Sequence, residues 1–263
     1  MGSELFYYTG TGNSLWTARA LAGRMGQVRV RPMKQCMGVQ LAADTLSVGM
    51  VFPVYIYGLP RPVVEFVRAL SGGRGTHYFA VATNGGQPGR SLAMLARLLD
   101  SRGMRLCAGY SLEMPSNYIP WGGPGSAEEQ DELFRHAEGK IARIADEVRE
   151  RSCALPETES GPAAAARSSI YHLTYPLVHR VDRLFRTDGE CDHCGNCAKV
   201  CPSGNVELRE GGPVWHRRCE QCFACLQWCP RQNIQWGNRT RRNERYHHPS
   251  VTLADIIGSA PAR

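Results

Sequence analysis

Across the first 150 residues, short apolar runs alternate with stretches whose apolar positions recur every three or four residues. The runs at 5–8, 46–54, 77–83 and 105–114, with a shorter stretch at 28–31, predict five β-strands. Between them, Leu15, Ala18, Leu21, Ala22 and Met25 mark one helix, and Val63, Phe66, Val67 and Leu70, led by Pro62, mark a second. Leu92, Leu95, Leu98 and Leu99 mark a third. A long charged helix over 128–151 carries Leu133, Ile141, Ile144 and Val148 on its apolar face. Continuously apolar strands need cover on both faces, so the pattern predicts a parallel sheet between helices, a doubly wound α/β domain.

Beyond residue 150 the pattern changes. Residues 155–169 hold Pro, Ser, Gly and a run of four Ala without periodicity, and read as a linker. A helix over 170–185, with Leu173, Leu177, Val181 and Leu184 on one side, leads into a cysteine-dense segment. After Trp236 the chain turns basic through Arg239, Arg241, Arg242 and Arg245, and its last dozen residues are expected to be partly disordered. The expected division is therefore an α/β domain at 1–154, a linker and connecting helix at 155–187, a cysteine-rich domain at 188–237 and a basic tail at 238–263. At 263 residues, 43% hydrophobic and 21% charged, the chain is long enough for a core and too apolar for general disorder. No run reaches the roughly 20 apolar residues of a membrane helix, so no membrane insertion is expected. No basic segment precedes the apolar run at 5–8, and Phe6 stands where a myristoylation signal needs Ser or Thr. A cytoplasmic setting is expected.

Cysteine changes the picture most. Of 11 cysteines, all but Cys36, Cys107 and Cys153 lie between Cys191 and Cys229. Cys191, Cys194, Cys197 and Cys201 are followed by Pro202, and the same spacing recurs at Cys219, Cys222, Cys225 and Cys229 before Pro230, a repeat of 28 residues (219 − 191). A disulfide framework would need an oxidising compartment, and zinc sites favour ligands in pairs rather than three at successive spacings of three. The segment resembles the bacterial two-cluster ferredoxins. The resemblance implies two [4Fe–4S] clusters, one held by Cys191, Cys194, Cys197 and Cys229, the other by Cys219, Cys222, Cys225 and Cys201, because in that family the fourth cysteine of each run ligates the other cluster. Gly195 and Gly204 suit the tight turns such loops make. Trp215, Trp228 and Trp236 are expected to form the small domain's core. The three remaining cysteines are too dispersed in sequence to suggest a further metal site, and apolar packing is their expected role.

Directly after the first strand, Thr9, Gly10, Thr11, Gly12, Asn13 and Ser14 open the first helix. A glycine-rich turn at a helix N-terminus offers free N–H groups and a favourable dipole to a phosphate. It is neither a Walker loop, which ends in Gly-Lys-Ser/Thr, nor a dinucleotide fingerprint, since Leu15 replaces the third glycine. The stretch resembles the FMN phosphate loop of flavodoxins, and the order of strands and helices fits their fold. That resemblance implies a five-stranded sheet of order 2-1-3-4-5 with FMN at the carboxyl ends of the strands. The loops expected there supply Pro53, Val54, Tyr55, Tyr57 and Gly58, then Thr83, Asn84, Gly85, Gly86 and Gln87. The tyrosines would stack on the flavin, and the Gly58 peptide would turn over as the ring is reduced. Ser116, Asn117 and Tyr118 would close the rim.

Over most of its length the chain resembles the anaerobic fusion proteins that join a flavodoxin-like domain to a two-cluster, α+β ferredoxin-like domain. The resemblance implies electron transfer between the clusters and FMN, converting one-electron into two-electron traffic in anaerobic redox metabolism, with a redox protein as donor or acceptor. The alternatives are a flavin-dependent reductase acting on a small molecule with the clusters as its electron feed, and a scaffold within a larger redox complex. No catalytic acid or base stands out. The net charge of +7 lacks the interleaved aromatics of a nucleic-acid surface, so no nucleic-acid partner is expected, and the arginine tail reads as a solvated terminus rather than a docking patch.

Overall fold

The computed structural model describes residues 2–73 and 75–259. Its first 113 residues lay down β1 (Ser3–Tyr7), α1 (Asn13–Met25), β2 (Val28–Pro32), β3 (Ser47–Pro53), α2 (Arg61–Ala69), β4 (His77–Asn84), α3 (Ser91–Asp100) and β5 (Leu106–Glu113). The five strands form one sheet in the order β2-β1-β3-β4-β5, every pairing parallel, which is the flavodoxin-like order. β4 is buried throughout and β3 nearly so, as a sheet covered on both faces requires. The cover comes from α1 packed with α4 (Ala127–Arg149), and from α2 packed with α3. A Ser126–Glu129 capping box starts α4.

Residues 155–169 depart from the expected linker. Extended backbone first follows the free edge of β5, with the Ala154 and Glu157 N–H groups donating to the carbonyls of Cys107 and Gly109. This pairing blunts the sheet edge. Helix α5 (Gly161–Val178) then begins inside the stretch, because Pro162 suits a first helical turn and the Ala run has the highest helix propensity. Its buried side is Ala164, Tyr171, Tyr175 and Val178, while Leu173 and Leu177 face solvent, the reverse of the expected apolar face. The tyrosines prevail because their hydroxyls find partners below: Tyr171 donates to the Leu59 carbonyl (2.8 Å) and Tyr175 to Glu220.

The cysteine-rich unit consists of β6 (Phe185–Thr187) antiparallel to β9 (Ile234–Trp236), a hairpin of β7 (Val206–Arg209) and β8 (Gly212–Trp215), and two single-turn helices, α6 (Asn196–Lys199) and α7 (Ala224–Gln227). Trp236 and Trp215 pack within it, but Trp228 instead joins the core of the large domain and donates its indole N–H to the Gly10 carbonyl (3.2 Å). The basic tail is ordered rather than frayed. Arg241 and Arg186 grip Asp188, Arg245 donates to the carbonyls of Gln232 and Ile234, and Arg239 lies over the Trp121 ring. Tyr246, Val251 and Ile256 are buried, and α8 (Leu253–Ser259) closes the tail; residues 260–263, also expected to be disordered, lie outside the described residues. Cys36 is buried as expected, but Cys107 is half-buried and Cys153 exposed, and the chain's return along β5 brings these two together. Among the described residues no helix is long and apolar enough to cross a membrane.

Gly49, in the middle of β3, shows how tightly the layers close. A Cβ there would lie 2.2 Å from Leu5 Cδ1 and 2.4 Å from Phe79 Cζ. Gly49→Ala is expected to destabilise the protein by about 1–3 kcal/mol through overpacking, despite alanine's better strand propensity. The urea midpoint should fall with an unchanged m-value.

Candidate functional site

At the carboxyl ends of β1, β3 and β4 lies a cavity of about 730 Å³, within the range of small-molecule and cofactor sites. Thr9, Gly10, Thr11, Asn13, Ser14, Pro53, Val54, Tyr55, Tyr57, Thr83, Asn84, Gly85, Gln87 and Tyr118 line it, as do Ser116 and Asn117. Gly12, Gly58 and Gly86, also expected there, are not among its lining residues. Trp121, Val181, Glu220, Gln221 and Trp236 also line it, and no local sequence pattern marks them for that position. Glu220 and Gln221 lie between two cysteines of a ligand loop, and only tertiary packing reveals that their side chains face a second site.

One end of the cavity is formed by the opening of α1. Gly12 caps α1 in the left-handed region (φ 105°) with no side-chain cap and no acidic residue in the first turn. The N–H groups opening the helix therefore keep their free valence and positive potential. Thr9 Oγ1 accepts from the Gly12 N–H (3.1 Å), and Ser14 and Thr83 share a hydroxyl hydrogen bond (2.8 Å). Asn13 is held from two sides, donating to the Pro115 carbonyl and accepting from the Tyr246 hydroxyl (2.6 Å). The tail braces the loop from beneath: the His248 N–H donates to the Thr11 carbonyl (2.9 Å), and its ring stacks on Trp16 at 4.7 Å.

The other end is aromatic. Tyr55 to Gly58 form a tight turn with reciprocal backbone hydrogen bonds, and both central residues, Ile56 and Tyr57, have positive φ (48° and 66°). This is costly for a β-branched residue and places the strain at the cavity wall rather than at a glycine. Gly58 has both its N–H and its carbonyl engaged in that turn, and the Tyr171 ring fills the space beside its Cα, where a Cβ would come within 2.4 Å. Those contacts hold the peptide that was expected to turn over. Tyr118 stacks on Trp121 at 5.3 Å and packs edge-on against Phe223. Asn84 spends its side-chain amide on Ser111 and the Ala82 carbonyl, and its oxygen on the Gly86 N–H. It shapes its loop from within.

The cysteines fall into two groups. Cys191, Cys194, Cys197 and Cys229 surround one small cavity. Cys219, Cys222, Cys225 and Cys201 lie near enough to act on one another; burial pushes Cys222 up to about 12, and the Cys201 sulfur pushes it further the same way. Burial likewise pushes Cys197 up to about 11, and the sulfurs of Cys191, Cys194 and Cys229 beside it act in the same direction. Thiols so placed hold their protons unless a metal takes the sulfur. The 28-residue repeat extends to the backbone: positive φ recurs at His193 and Gln221, Gly195 and Phe223, and Gly204 and Gln232. Left-handed turns of this kind fold successive N–H groups inward around an anionic centre. The Asn205 and Gln221 N–H groups already donate to the sulfurs of Cys201 and Cys219 (3.1 and 3.2 Å).

The two sites share a wall. A Cβ on Gly10 would lie 3.0 Å from Cys222 Cβ, so the phosphate-type loop and the cysteine loop touch through a missing side chain. Asn117 donates to the Cys222 carbonyl (2.9 Å). Glu220 lines the cavity; its Oε2 accepts from Tyr175 and from the Arg61 N–H, its Oε1 lies 3.5 Å from His179 Nδ1 and 3.9 Å from Arg61 Nε, and burial raises its pKa. The uncapped opening of α1 and the aromatic end together fit FMN, and the two groups of four thiols fit cubane clusters.

Residues 183–230 match the family model described as the 4Fe-4S dicluster domain. No curated protein matches the chain. Among solved structures, an archaeal flavodoxin is 14% identical, covering 56% of this chain and 99% of its own, with a TM-score of 0.37. An azoreductase from Bacillus anthracis str. Sterne is 11% identical over 56% of this chain and 100% of its own (TM-score 0.38). An FMN-dependent NADH-azoreductase from Bacillus anthracis str. Ames Ancestor, in complex with FMN, is 8% identical over 55% and 100% (TM-score 0.37). Likenesses this slight carry no argument; the sheet order itself assigns the flavodoxin-like fold. The chain thus joins a flavodoxin-like fold to a 4Fe-4S dicluster domain.

Burial lowers the pKa of His248 from 6.5 to about 4, with the neighbouring His247 adding to the effect. The fold therefore favours the neutral ring. Its contribution is complete above about pH 6.5 and is lost as pH falls through about 4, roughly 3 kcal/mol between those limits. His248→Gln is expected to flatten the loss of stability between pH 7 and pH 5. The measurement is the wild-type minus variant urea midpoint at each pH, a difference that cancels acid loss of iron; equal midpoint losses would reject the assignment.

Proposed function

We propose that the chain conducts electrons between two [4Fe–4S] clusters and an FMN in the cavity, in anaerobic redox metabolism with a redox protein as external donor or acceptor. When bound, FMN takes up one or two electrons and each cluster one, so the set converts between single and paired electrons. The observation that carries this reading is the shared wall: Glu220 and Gln221 line the cavity between Cys219 and Cys222, and Gly10 touches Cys222. The thiols would thus act as ligands, the loop amides as phosphate donors, and the 219–222 backbone as the bridge between carriers.

Exposure gives the carriers an order. Cys201, Cys219, Cys222 and Cys225 are all buried, whereas Cys191 and Cys229 are half-buried and Cys194 exposed. The Cys191 group then meets the external partner, and the Cys219 group relays to the cavity. Anaerobic preparation is expected to give about eight irons and one FMN per chain. Cys201→Ala is expected to remove iron from the inner group, keep FMN bound and slow flavin reduction by a reduced ferredoxin. A flavin-free chain, zinc in place of iron at these eight cysteines, or undiminished flavin reduction in Cys201→Ala would refute the proposal.

A further inference from the structure

At the opposite end of the sheet, three side chains of ligand type meet: one imidazole nitrogen of His77 and the sulfurs of Cys107 and Cys153 all lie within 4.8 Å of one another. They come from the start of β4, the start of β5 and the segment leaving α4. Two features mark this as more than chance proximity. His77 is buried, and its Nε2 lies 2.9 Å from the Ser152 carbonyl, which can only accept. On a neutral ring this places the proton on Nε2, and Nδ1, buried and without a hydrogen-bond partner, carries the lone pair. A buried nitrogen in that state normally finds a donor or a metal. A carbonyl fixing one ring nitrogen so that the other can coordinate is the usual support of a histidine ligand.

The second feature is a β-bulge. Tyr78 pairs with Leu106 and Phe79 with Ala108, so Cys107 is the extra residue in the ladder. Bulges re-aim side chains, and this one puts the Cys107 sulfur beside Cys153 and the Tyr78 N–H. The Ala154 N–H holds the Cys153 segment there through the Cys107 carbonyl (2.8 Å).

We propose that His77, Cys107 and Cys153 bind a zinc ion. One imidazole and two thiolates form a soft, borderline donor set that suits zinc over calcium or magnesium. Ligand atoms around a tetrahedral zinc lie about 3.5–3.8 Å apart, so rotation of the two cysteine side chains closes the set. Binding releases the two thiol protons, and water completes the coordination on the exposed Cys153 side. The ion would staple the chain leaving α4 to the sheet, at the end remote from the flavin cavity.

The test uses the full chain, prepared anaerobically with its clusters, exposed to zinc and desalted, with zinc and iron counted together. About one zinc per chain at an unchanged iron count is expected. Cys153→Ser, an exposed position that should not disturb folding, is expected to lose the zinc and keep the iron, and Cys107→Ser to do the same. Cobalt in place of zinc should give tetrahedral thiolate bands in the difference between wild type and Cys153→Ser. Zinc retained equally by Cys153→Ser, no zinc in the wild type, or a Cys107–Cys153 disulfide that forms whether or not zinc is present would overturn the proposal.

Discussion

Everything at the functional end of this molecule depends on one close approach, the seating of the Cys222 loop against Gly10. The missing side chain at Gly10 leaves 3.0 Å between a would-be Cβ and Cys222 Cβ. Any larger residue would push the cysteine loop away from the phosphate-type turn. Three hydrogen bonds hold the approach: Trp228 to the Gly10 carbonyl, Asn117 to the Cys222 carbonyl, and the Gln227 amide to the Asn117 carbonyl. The turn that would bind phosphate is thus also the surface on which the dicluster domain is mounted. Glycine at this position is what the junction requires.

The tail serves the same junction from the other side. Tyr246 fixes Asn13, His248 fixes Thr11, and Val251 lies under Gly12, where a Cβ would come within 3.0 Å. Its arginines, meanwhile, bind the dicluster domain through Asp188 and the 232–234 backbone. The tail is therefore a strap with one end on each unit. Surface ion pairs contribute little individually, so its hold comes chiefly from the burial of Tyr246, Val251 and Ile256.

How much of this was legible in the sequence follows from the range of the interactions involved. The five strands and their helices were readable because burial on both faces writes continuous apolar runs. The cysteine spacing was readable because ligands to one centre lie on one short loop. Helix α5 was misread because alanine-rich propensity leaves no apolar period, and its buried face was inverted because tyrosine hydroxyls outcompeted leucine for sites with hydrogen-bond acceptors. The tail, Trp228, Glu220 and the meeting of Cys107 with Cys153 are contacts between distant segments. No local pattern encodes them.

The cavity wall also assigns rigid and yielding parts. Gly58, the expected pivot, is fixed by two backbone hydrogen bonds and by Tyr171, whereas Ile56 and Tyr57 carry the unfavourable φ angles. The turn is held in that state from outside: Tyr171 donates to Leu59, Arg167 lies over the Tyr57 ring, and Gly89 lets the chain pass the Tyr57 carbonyl, which a Cβ there would meet at 2.4 Å. Two of those three supports come from α5. The helix between the two cofactor-type units therefore does more than span them. It sets the conformation of the aromatic wall, while Tyr175, one turn further on, holds the Glu220 carboxyl beside the cysteine loop. A displacement of α5 would move the aromatic wall and the cluster-side wall together, so the geometry of the flavin-type cavity and its distance from the inner cysteines are set by the same element.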